Sequence, residues 1–185
     1  ANIDGFYGEI KNTIMSLNFK IDTPKELIFE HIAEYLHLHN LKIHSQDNTR
    51  PWGGFFVIEE TEAEKFIQLF FPQLAEKDLN ISGKLSPKIL VVAPEKRLSW
   101  QYHNRRAEIW KLIGGTAAVA TSDTDEQQES TTLNIGGIIQ LKQGERHRLV
   151  GLDNWGIVAE IWQHTDAANP SDEEDIIRVQ DDFGR

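Results

Sequence analysis

Cysteine is absent from this 185-residue chain. Its absence excludes disulfide bonds and thiolate ligands, so any transition metal must be held by histidine, carboxylate or amide groups. It also fits a reducing compartment, and we expect a cytoplasmic protein. No apolar run approaches the roughly 20 residues that a membrane helix needs, and the first residues lack the layout of a secretory signal. We therefore expect no membrane partner.

Positive charge is scarce, with 19 Lys and Arg residues against 29 Asp and Glu residues and a net charge of −10. This balance argues against nucleic acid as a partner. An acidic protein that handles a phosphorylated ligand needs a local basic pocket, which makes clustered arginines candidates for that role. The length allows one full core and is short for two ordinary domains.

The first clear element in the sequence is a helix. Thr23 to Glu26 combine an N-cap, a proline at the first helical position and a capping-box glutamate, and apolar residues then follow at helical spacing to about Asn40. A metal site on this helix is one interpretation of its histidines, although helix histidines are more often solvated or structural. These histidines are His31, His37 and His39.

After residue 50, short β-rich runs alternate with turn signals, a pattern typical of an all-β sandwich or barrel. The predicted strands are residues 55–58, 66–70, 89–92, 98–101, 109–113, 116–120, 131–135, 138–141 and 158–162. Residues 121–130 are polar and predict a solvated hairpin loop. A calcium site there is a weaker hypothesis, because the glycine spacing of a calcium loop is missing. A second capping box at residues 171–174 predicts a short C-terminal helix.

Four candidate metal ligands occur in two separated stretches of the chain. Gln101 and His103 alternate on a predicted strand, so both side chains reach the same face. Glu108 can return on the neighbouring strand after a short turn. His147 follows a glycine turn far downstream. Two nitrogen donors, an amide oxygen and a carboxylate suit Zn, Fe, Mn, Co or Ni better than Ca or Mg.

The spacing of these residues resembles the two motifs of the cupin superfamily. In register with the first motif are Gln101, His103, Glu108 and Gly115, and in register with the second are Gly136, Gly144 and His147. The departures are Glu95 for glycine, Gln101 for histidine, Lys142 for proline and Gly151 for asparagine. Two gapped motifs in register are much more specific than either motif alone.

Residues 50–185 more closely resemble the C-terminal isomerase domain of the type II mannose-6-phosphate isomerase / mannose-1-phosphate guanylyltransferase family. The matching segments are Arg50-Pro-Trp-Gly, residues 91–101, Arg106-Ala-Glu, His147-Arg-Leu, residues 174–178 and residues 182–185. The departures are Asn104, Arg105 and Ile109, which stand where that family has histidines, and a stretch at about residues 60–87 that is longer than the family needs.

This resemblance implies an all-β fold: a cupin barrel (a double-stranded β-helix, or jelly roll) at residues 50–185. Residues 1–49 would form an N-terminal helical extension. The resemblance also makes Gln101 a metal ligand, so the expected set is Gln101, His103, Glu108 and His147 around one divalent metal ion. Zinc is the expected ion, with Fe, Mn, Co or Ni as alternatives.

The activity implied by the resemblance is metal-dependent aldose–ketose isomerisation of a sugar phosphate through an enediolate. The expected catalytic residues are Arg106 and Arg185, for phosphate or enediolate contacts, and Glu160 for proton transfer, with Glu145 a second candidate base by position. Arg105 and Arg148 are further phosphate candidates. Alternatively, these arginines pair with nearby aspartates. Those aspartates are Asp175, Asp181 and Asp182.

Several alternatives stay open at this point. Trp110 and Trp162 would either form the floor of a sugar-binding site or fill the core. The chain could be another metal-cupin enzyme, such as a sugar epimerase or a dioxygenase, or a non-catalytic sugar-binding cupin. The expected partner is a small sugar or sugar phosphate. A homodimer is also expected by analogy, with the N-terminal helix covering a barrel edge or swapping onto a partner.

Overall fold

The computed structural model describes residues 16–74, 79 and 83–185. In chain order its elements are α1 (Lys25–Leu38), β1 (Ile43–Asp47), β2 (Gly53–Ile58), a 3₁₀ helix (Glu60–Glu62), α2 (Ala63–Phe70), β3 (Lys88–Val92), β4 (Trp100–Tyr102), β5 (Arg106–Ser122), β6 (Thr131–Thr132), β7 (Ile138–Leu141), β8 (Arg146–His164) and β9 (Ile177–Gln180). None of the described helices is long and apolar enough to span a membrane.

Strand β8 organises the sheet because it pairs along both of its edges. Its C-terminal half pairs with β3, from Lys88 opposite Glu160 to Val92 opposite Gly156. Its first residues pair with β4, and its whole length pairs antiparallel with β5. One continuous order therefore runs β1-β2-β3-β8-β4-β9, while β5 carries β6 and β7 beside β8. The sheet curls around an interior that is lined by β3, β5 and β8.

Two facing glycines allow β5 and β8 to bend. Gly115 has a φ of +68° and lies opposite Gly156. A Cβ atom on Gly115 would lie 1.7 Å from the Trp155 carbonyl oxygen, and one on Gly156 would lie 2.5 Å from the Thr116 carbonyl oxygen. Any side chain at either position would force the strands apart. The β5 register shifts at this bend, where the strands turn into the curl.

Both faces of the central strands are buried. All five residues of β3 are buried, and its four apolar residues alternate between two apolar clusters. An outer cluster lies under the two helices and includes Ile28, Phe56, Phe66, Ile89, Ile109 and Ile161. An inner cluster fills the curl and includes Trp52, Leu90, Trp110, Leu112, Leu149 and Val158. Residues 16–49 contribute β1 to this same sheet and α1 to the outer cluster. The boundary between an N-terminal extension and the barrel at residues 49 and 50 stays a prediction.

The all-β prediction is confirmed, and α1 forms where the sequence predicts a helix. Its N-cap is Pro24 rather than Thr23, and no side chain caps it, so the predicted capping box is wrong. The backbone N–H of Thr23 donates instead to the Lys20 carbonyl in the preceding turn. The predicted strands at residues 109–113 and 116–120 are two halves of β5. The polar loop between β5 and β6 lies where it is predicted.

The predicted strand at residues 66–70 is wrong, because this segment belongs to α2. Its buried residues recur at helical spacing and form one apolar face against the outer cluster. These residues are Ala63, Phe66, Ile67 and Phe70. Within residues 66–70, Phe66, Ile67 and Phe70 are also favoured in β-strands. This short apolar run therefore does not by itself distinguish a helix from a strand.

The predicted C-terminal helix is also wrong. Residues 171–176 form a turn in which the Asp172 carboxylate accepts hydrogen bonds from the backbone N–H groups of Glu174 and Asp175. The following residues form β9, which pairs with β4. The capping signal is real, but it closes a turn instead of starting a helix, because the next residues gain strand partners.

We expect Phe66→Ala to lower the free energy of unfolding by about 3–5 kcal/mol, since its ring is fully buried between α2 and the sheet. Gln68→Ala on the exposed side of the same helix should change stability by less than about 0.5 kcal/mol. Urea denaturation followed by circular dichroism measures both. Equal effects of the two substitutions would show that α2 is not packed as described.

Candidate metal centre

Three buried side chains from separate elements converge at one end of the interior. His103 follows β4, Glu108 lies on β5 and His147 begins β8. The Oε1 atom of Glu108 lies 3.1 Å from Nε2 of His103 and 2.9 Å from Nε2 of His147. Within the described ranges, no other group of three or more His, Cys, Asp or Glu side chains brings its ligand atoms together this closely. The helix histidines therefore do not form a comparable site there.

Both histidine rings are held with their Nε2 atoms toward this centre. Nδ1 of His103 lies 2.7 Å from the Asp175 carbonyl oxygen, and Nδ1 of His147 lies 3.0 Å from the Glu145 carbonyl oxygen. A carbonyl oxygen only accepts, so each Nδ1 carries a proton, which leaves Nε2 as the ring atom that can offer a lone pair to a metal ion. Metal-binding histidines are oriented in this way by an acceptor behind the ring.

Two atoms at the centre are buried without a hydrogen-bond partner among the described residues. They are Oε1 of Glu108 and Nε2 of His147, which lie 2.9 Å apart. Oε1 of Glu108 presents lone pairs, and so does Nε2 of His147 when only Nδ1 of that ring carries a proton, so their proximity is unfavourable unless a cation or a proton lies between them. The donor set and these unpartnered atoms fit a divalent transition metal.

Gln101 lies beside the three donors, so the structure brings all four predicted ligands together. Its Nε2 atom is 3.5 Å from Nε2 of His103, and its Oε1 atom accepts a 2.6 Å hydrogen bond from the Ser99 hydroxyl. The oxygen and nitrogen of a side-chain amide exchange places on a 180° rotation. That rotation would direct the amide oxygen of Gln101 toward the centre and leave its N–H group to donate to Ser99.

Glu108 and Glu160 are two buried carboxyl groups with opposite pKa shifts. Burial raises the pKa of Glu108, but its interactions with His103, Arg106 and His147 outweigh that effect and hold this pKa well below its usual range. Burial and the negative charge of Glu108 raise the pKa of Glu160 well above its usual range. These opposite shifts place negative charge on Glu108 in preference to Glu160, because it is costly for two close buried carboxyl groups to ionise together.

Two tryptophans fix the orientation of Glu160. The indole N–H of Trp110 donates to Oε2 of Glu160, and that of Trp162 donates to Oε1, each at 2.7 Å. Both rings are buried, and Trp110 belongs to the inner cluster. These contacts indicate that the two tryptophans are core residues and not the exposed floor of a sugar-binding site. Their indole N–H groups also hold the Glu160 carboxyl group in the pocket.

A pocket opens beside the predicted donors, and five basic residues line it. They are Arg50, Lys88, Arg106, Arg178 and Arg185. Gln101, Glu108 and Glu160 line the same pocket. The guanidinium of Arg178 forms no ion pair or hydrogen bond with the residues that the structure describes. Burial and the charges of Arg185 and Arg50 lower the pKa of Arg178, so three like charges lie close together.

The four arginines proposed from the sequence have different surroundings. Arg106 is buried, donates to Ser171 and the Asp172 carbonyl, and lies 3.6 Å from the Trp162 ring centroid. Arg185 lines the pocket and pairs with Asp181 at 2.7 Å, so both sequence interpretations apply to it. The remaining two do not line the pocket. These are Arg105, which pairs with Asp172 and Asp175, and Arg148, which bonds to Leu98, Gln127 and Gln180.

Glu145 supports the centre from behind. Its carbonyl oxygen accepts from His147, and its Oε1 atom accepts from the Lys142 backbone N–H at 2.8 Å. Its carboxylate is thus used in a turn and does not line the pocket, so this placement favours Glu160 as the proton-transfer candidate.

Sequence reasoning missed three of the basic pocket residues. Arg50 and Arg178 lie inside segments that carry the family resemblance, which is the signal that could have identified them. Lys88 has no such signal. It begins β3 and reaches the pocket only because β3 lies beside β8.

The departures from the expected motifs leave the donor set intact. Glu95 takes the left-handed conformation of the glycine it replaces, with a φ of +59°. Ile109 faces the outer cluster, away from its neighbours Glu108 and Trp110. Asn104 and Arg105 lie in the β4–β5 turn, where their backbone N–H groups donate to the Asp175 carboxylate.

Comparisons with known proteins agree with this geometry. Residues 59–181 match the family model described as "Mannose-6-phosphate isomerase C-terminal". The alginate biosynthesis protein AlgA of Pseudomonas aeruginosa is 27% identical over 128 residues, which cover 68% of this chain and 24% of that protein. AlgA of Pseudomonas putida is 30% identical over 125 residues, with the same coverage. The chain thus spans about a quarter of the length of the curated relatives it matches.

A solved structure supports the fold. A point mutant of the Bacillus subtilis oxalate decarboxylase OxdC superposes with a TM-score of 0.51 at 13% identity, over 72% of this chain and 30% of that one. At this identity the likeness concerns the fold alone, and it agrees with the predicted cupin architecture. By its family match and its fold, the chain belongs to the mannose-6-phosphate isomerase C-terminal family of cupins.

Proposed function

We propose that this chain is a metal-dependent aldose–ketose isomerase that acts on a phosphorylated sugar. The observation that carries the proposal is the convergence of His103, Glu108 and His147, with two donor atoms buried and unpartnered among the described residues, beside a pocket rich in basic side chains. Zinc, a homodimer and a cytoplasmic location stay predictions.

The metal would be held by these three side chains and by Gln101. A divalent ion bound there would stabilise the negative charge that develops on the sugar oxygens during isomerisation. The carbonyl acceptors behind both histidines keep the rings in place, so neither ring need reorient when the ion binds.

Glu160 is the best-placed group to move the proton between the two sugar carbons. It lines the pocket, it is not one of the three converging donors, and both of its oxygens are positioned by indole N–H groups. Its raised pKa makes the Glu160 carboxylate a stronger base than an ordinary glutamate, which favours taking a proton from carbon. We assign it the proton transfer: as a carboxylate it takes the proton from one sugar carbon, and as the resulting carboxylic acid it returns that proton to the neighbouring carbon.

Arg178 and Arg185 are our candidates for binding the phosphate. Three arginines close together are mutually repulsive, and an anionic group of the substrate would relieve that repulsion. Arg106 is better suited to a positioning task, because both of its terminal nitrogens already contact Ser171, Asp172 or the His103 ring, and only its Nε atom has no hydrogen-bond partner among the described residues.

The two alternative classes, another metal-cupin enzyme and a non-catalytic sugar-binding cupin, have distinct experimental signatures. A dioxygenase would consume oxygen with bound iron, and an epimerase would convert a sugar without changing an aldose to a ketose. A non-catalytic sugar-binding cupin would bind sugar without turnover. The preserved donor set and the buried Glu160 favour an enzyme over that last possibility.

The purified protein should contain about one divalent ion per chain, measured by inductively coupled plasma mass spectrometry for Zn, Fe, Mn, Co and Ni. His103→Ala and His147→Ala should each remove most of it, because each deletes one donor from a buried site. His44→Ala, at an exposed histidine outside the pocket, should leave the metal content unchanged. Full metal content in both of the first two variants would disprove the assignment.

Glu160→Gln should lower kcat for hexose 6-phosphate isomerisation by at least about 100-fold, because the amide cannot carry the proton. Its metal content should equal that of the wild type. Glu145→Gln, which changes a carboxylate outside the pocket, is the matched control and should retain most activity. Similar kcat values for the two variants would remove Glu160 from the mechanism.

Arg178→Gln should raise KM for a hexose 6-phosphate by about tenfold, since a charged hydrogen bond to phosphate is lost, with a smaller change in kcat. Arg97→Gln removes a positive charge outside the pocket, where Arg97 pairs with Asp182, and should leave KM nearly unchanged. Steady-state assays with phosphorylated and free hexose make the comparison. An equal loss with free hexose would argue against a phosphate contact.

A further inference from the structure

Lys88 is a buried lysine that lines the pocket and has no role in the proposed mechanism. It lies on β3 directly opposite Glu160 on β8, so the two side chains leave the sheet on the same face. Only 8% of the Lys88 side chain is exposed. Lysine is almost never buried this fully unless its charge has a partner or a task.

The contacts of Lys88 leave much of its hydrogen-bonding capacity unused. Its Nζ atom lies 4.2 Å from the Phe55 ring centroid and 5.4 Å from that of Trp162. Aromatic faces stabilise a cation without accepting a directed hydrogen bond at each N–H. An ammonium group has three donors, and among the described residues only Glu173 accepts from Lys88, at 2.7 Å.

Glu173 is a weak ion-pair partner for Lys88, because Lys88 is buried and Glu173 is largely exposed to water. Its side chain is 64% exposed, so water competes for the carboxylate and the long side chain loses entropy when it is held in one geometry. The backbone around it is held firmly. Arg106 donates to Ser171 and to the Asp172 carbonyl, and Asp175 accepts from two backbone N–H groups of the β4–β5 turn. The Glu173 side chain can therefore swing into solvent without moving its loop.

We propose that Lys88 binds the anionic group of the ligand and that Glu173 is its resting counter-ion, which the ligand displaces. The inference rests on the proposed function in one respect, the phosphorylated nature of the ligand. A phosphate offers several acceptor oxygens to an ammonium that uses one of its three donors. Lys88 then completes, from the β3 side, the basic lining to which Arg178 and Arg185 contribute from the C-terminal segment.

Glu173 consequently acts as an internal competitor for anions. Removing its charge should strengthen anion binding at Lys88 specifically, rather than through the general charge of the protein. Glu174 provides the matched control, since it is the adjacent exposed acid, carries the same charge and has no ion pair with the described residues. Each substitution removes one negative charge, so both change the net charge of the protein equally.

The test is a titration of the full-length, metal-loaded protein with inorganic phosphate, followed by tryptophan fluorescence, which the proximity of Lys88 to Trp162 makes informative. Glu173→Gln should bind phosphate on the order of tenfold more tightly than wild type, and Glu174→Gln should bind it as wild type does. Equal gains in the two variants would overturn the proposal, and so would an absence of phosphate binding in wild type and Glu173→Gln.

A double substitution makes the assignment specific to Lys88. Lys88→Met should weaken phosphate binding by about tenfold, and Glu173→Gln should give no gain when combined with it. Lys88→Arg keeps the charge and should retain the gain from Glu173→Gln, which covers the case in which Lys88→Met does not fold. A full gain in the Lys88→Met background would show that Glu173 acts elsewhere.

Isomerase assays on the same variants separate this inference from the proposed function. If no sugar phosphate turns over but the phosphate titrations behave as expected, Lys88 and Glu173 form an anion-binding pair in a protein with another activity. If the sugar phosphate turns over and the titrations fail, the isomerase proposal stands and the role of Lys88 is rejected.

Discussion

The alternation of side chains along β5 and β8 is the constraint on which the rest of the structure depends. Successive residues point to opposite faces, so Glu108 and Trp110 enter the interior while Ile109 packs under the helices. On β8, Glu160 faces the pocket and Ile161 does not. A slip of one residue would place carboxylates in the outer apolar cluster. Pairing along both edges of β8 fixes the register against such a slip.

The interior carries more charge than an apolar core would, and its charged groups are held by contacts from distant parts of the chain. Asp175 shows this most clearly. Its carbonyl oxygen accepts from the His103 ring, while its carboxylate accepts from the backbone of Asn104 and Arg105 and from the Ser171 hydroxyl. Those hydrogen bonds lower the pKa of Asp175 despite its burial, which by itself raises it. The C-terminal segment therefore orients a donor that precedes it by about 70 residues.

The same geometry gives Asn104, Arg105 and Ile109, the three departures from the resembling family's histidines, structural surroundings of their own. Ile109 contacts an outer cluster that α1 and α2 cover, so an apolar side chain suits that position here. Asn104 and Arg105 contribute mainly backbone N–H groups to a turn. None of the three presents an atom to the donor set. Helices α1 and α2 thus pack on the outer face of the sheet, and the site lies on the inner face.

By itself the sequence determined the all-β class and the helix α1, because strand alternation and helical periodicity are properties of short segments. Together with the family resemblance it singled out Gln101, His103, Glu108 and His147, whose side chains lie together in the structure. Only the tertiary structure decided that residues 63–70 form a helix, that the C-terminal capping box closes a turn before β9, and which cations line the pocket. Each of those outcomes depends on a partner far away in the chain, as when Lys88 comes to face Glu160 through the pairing of β3 with β8, and no local pattern encodes such a partner.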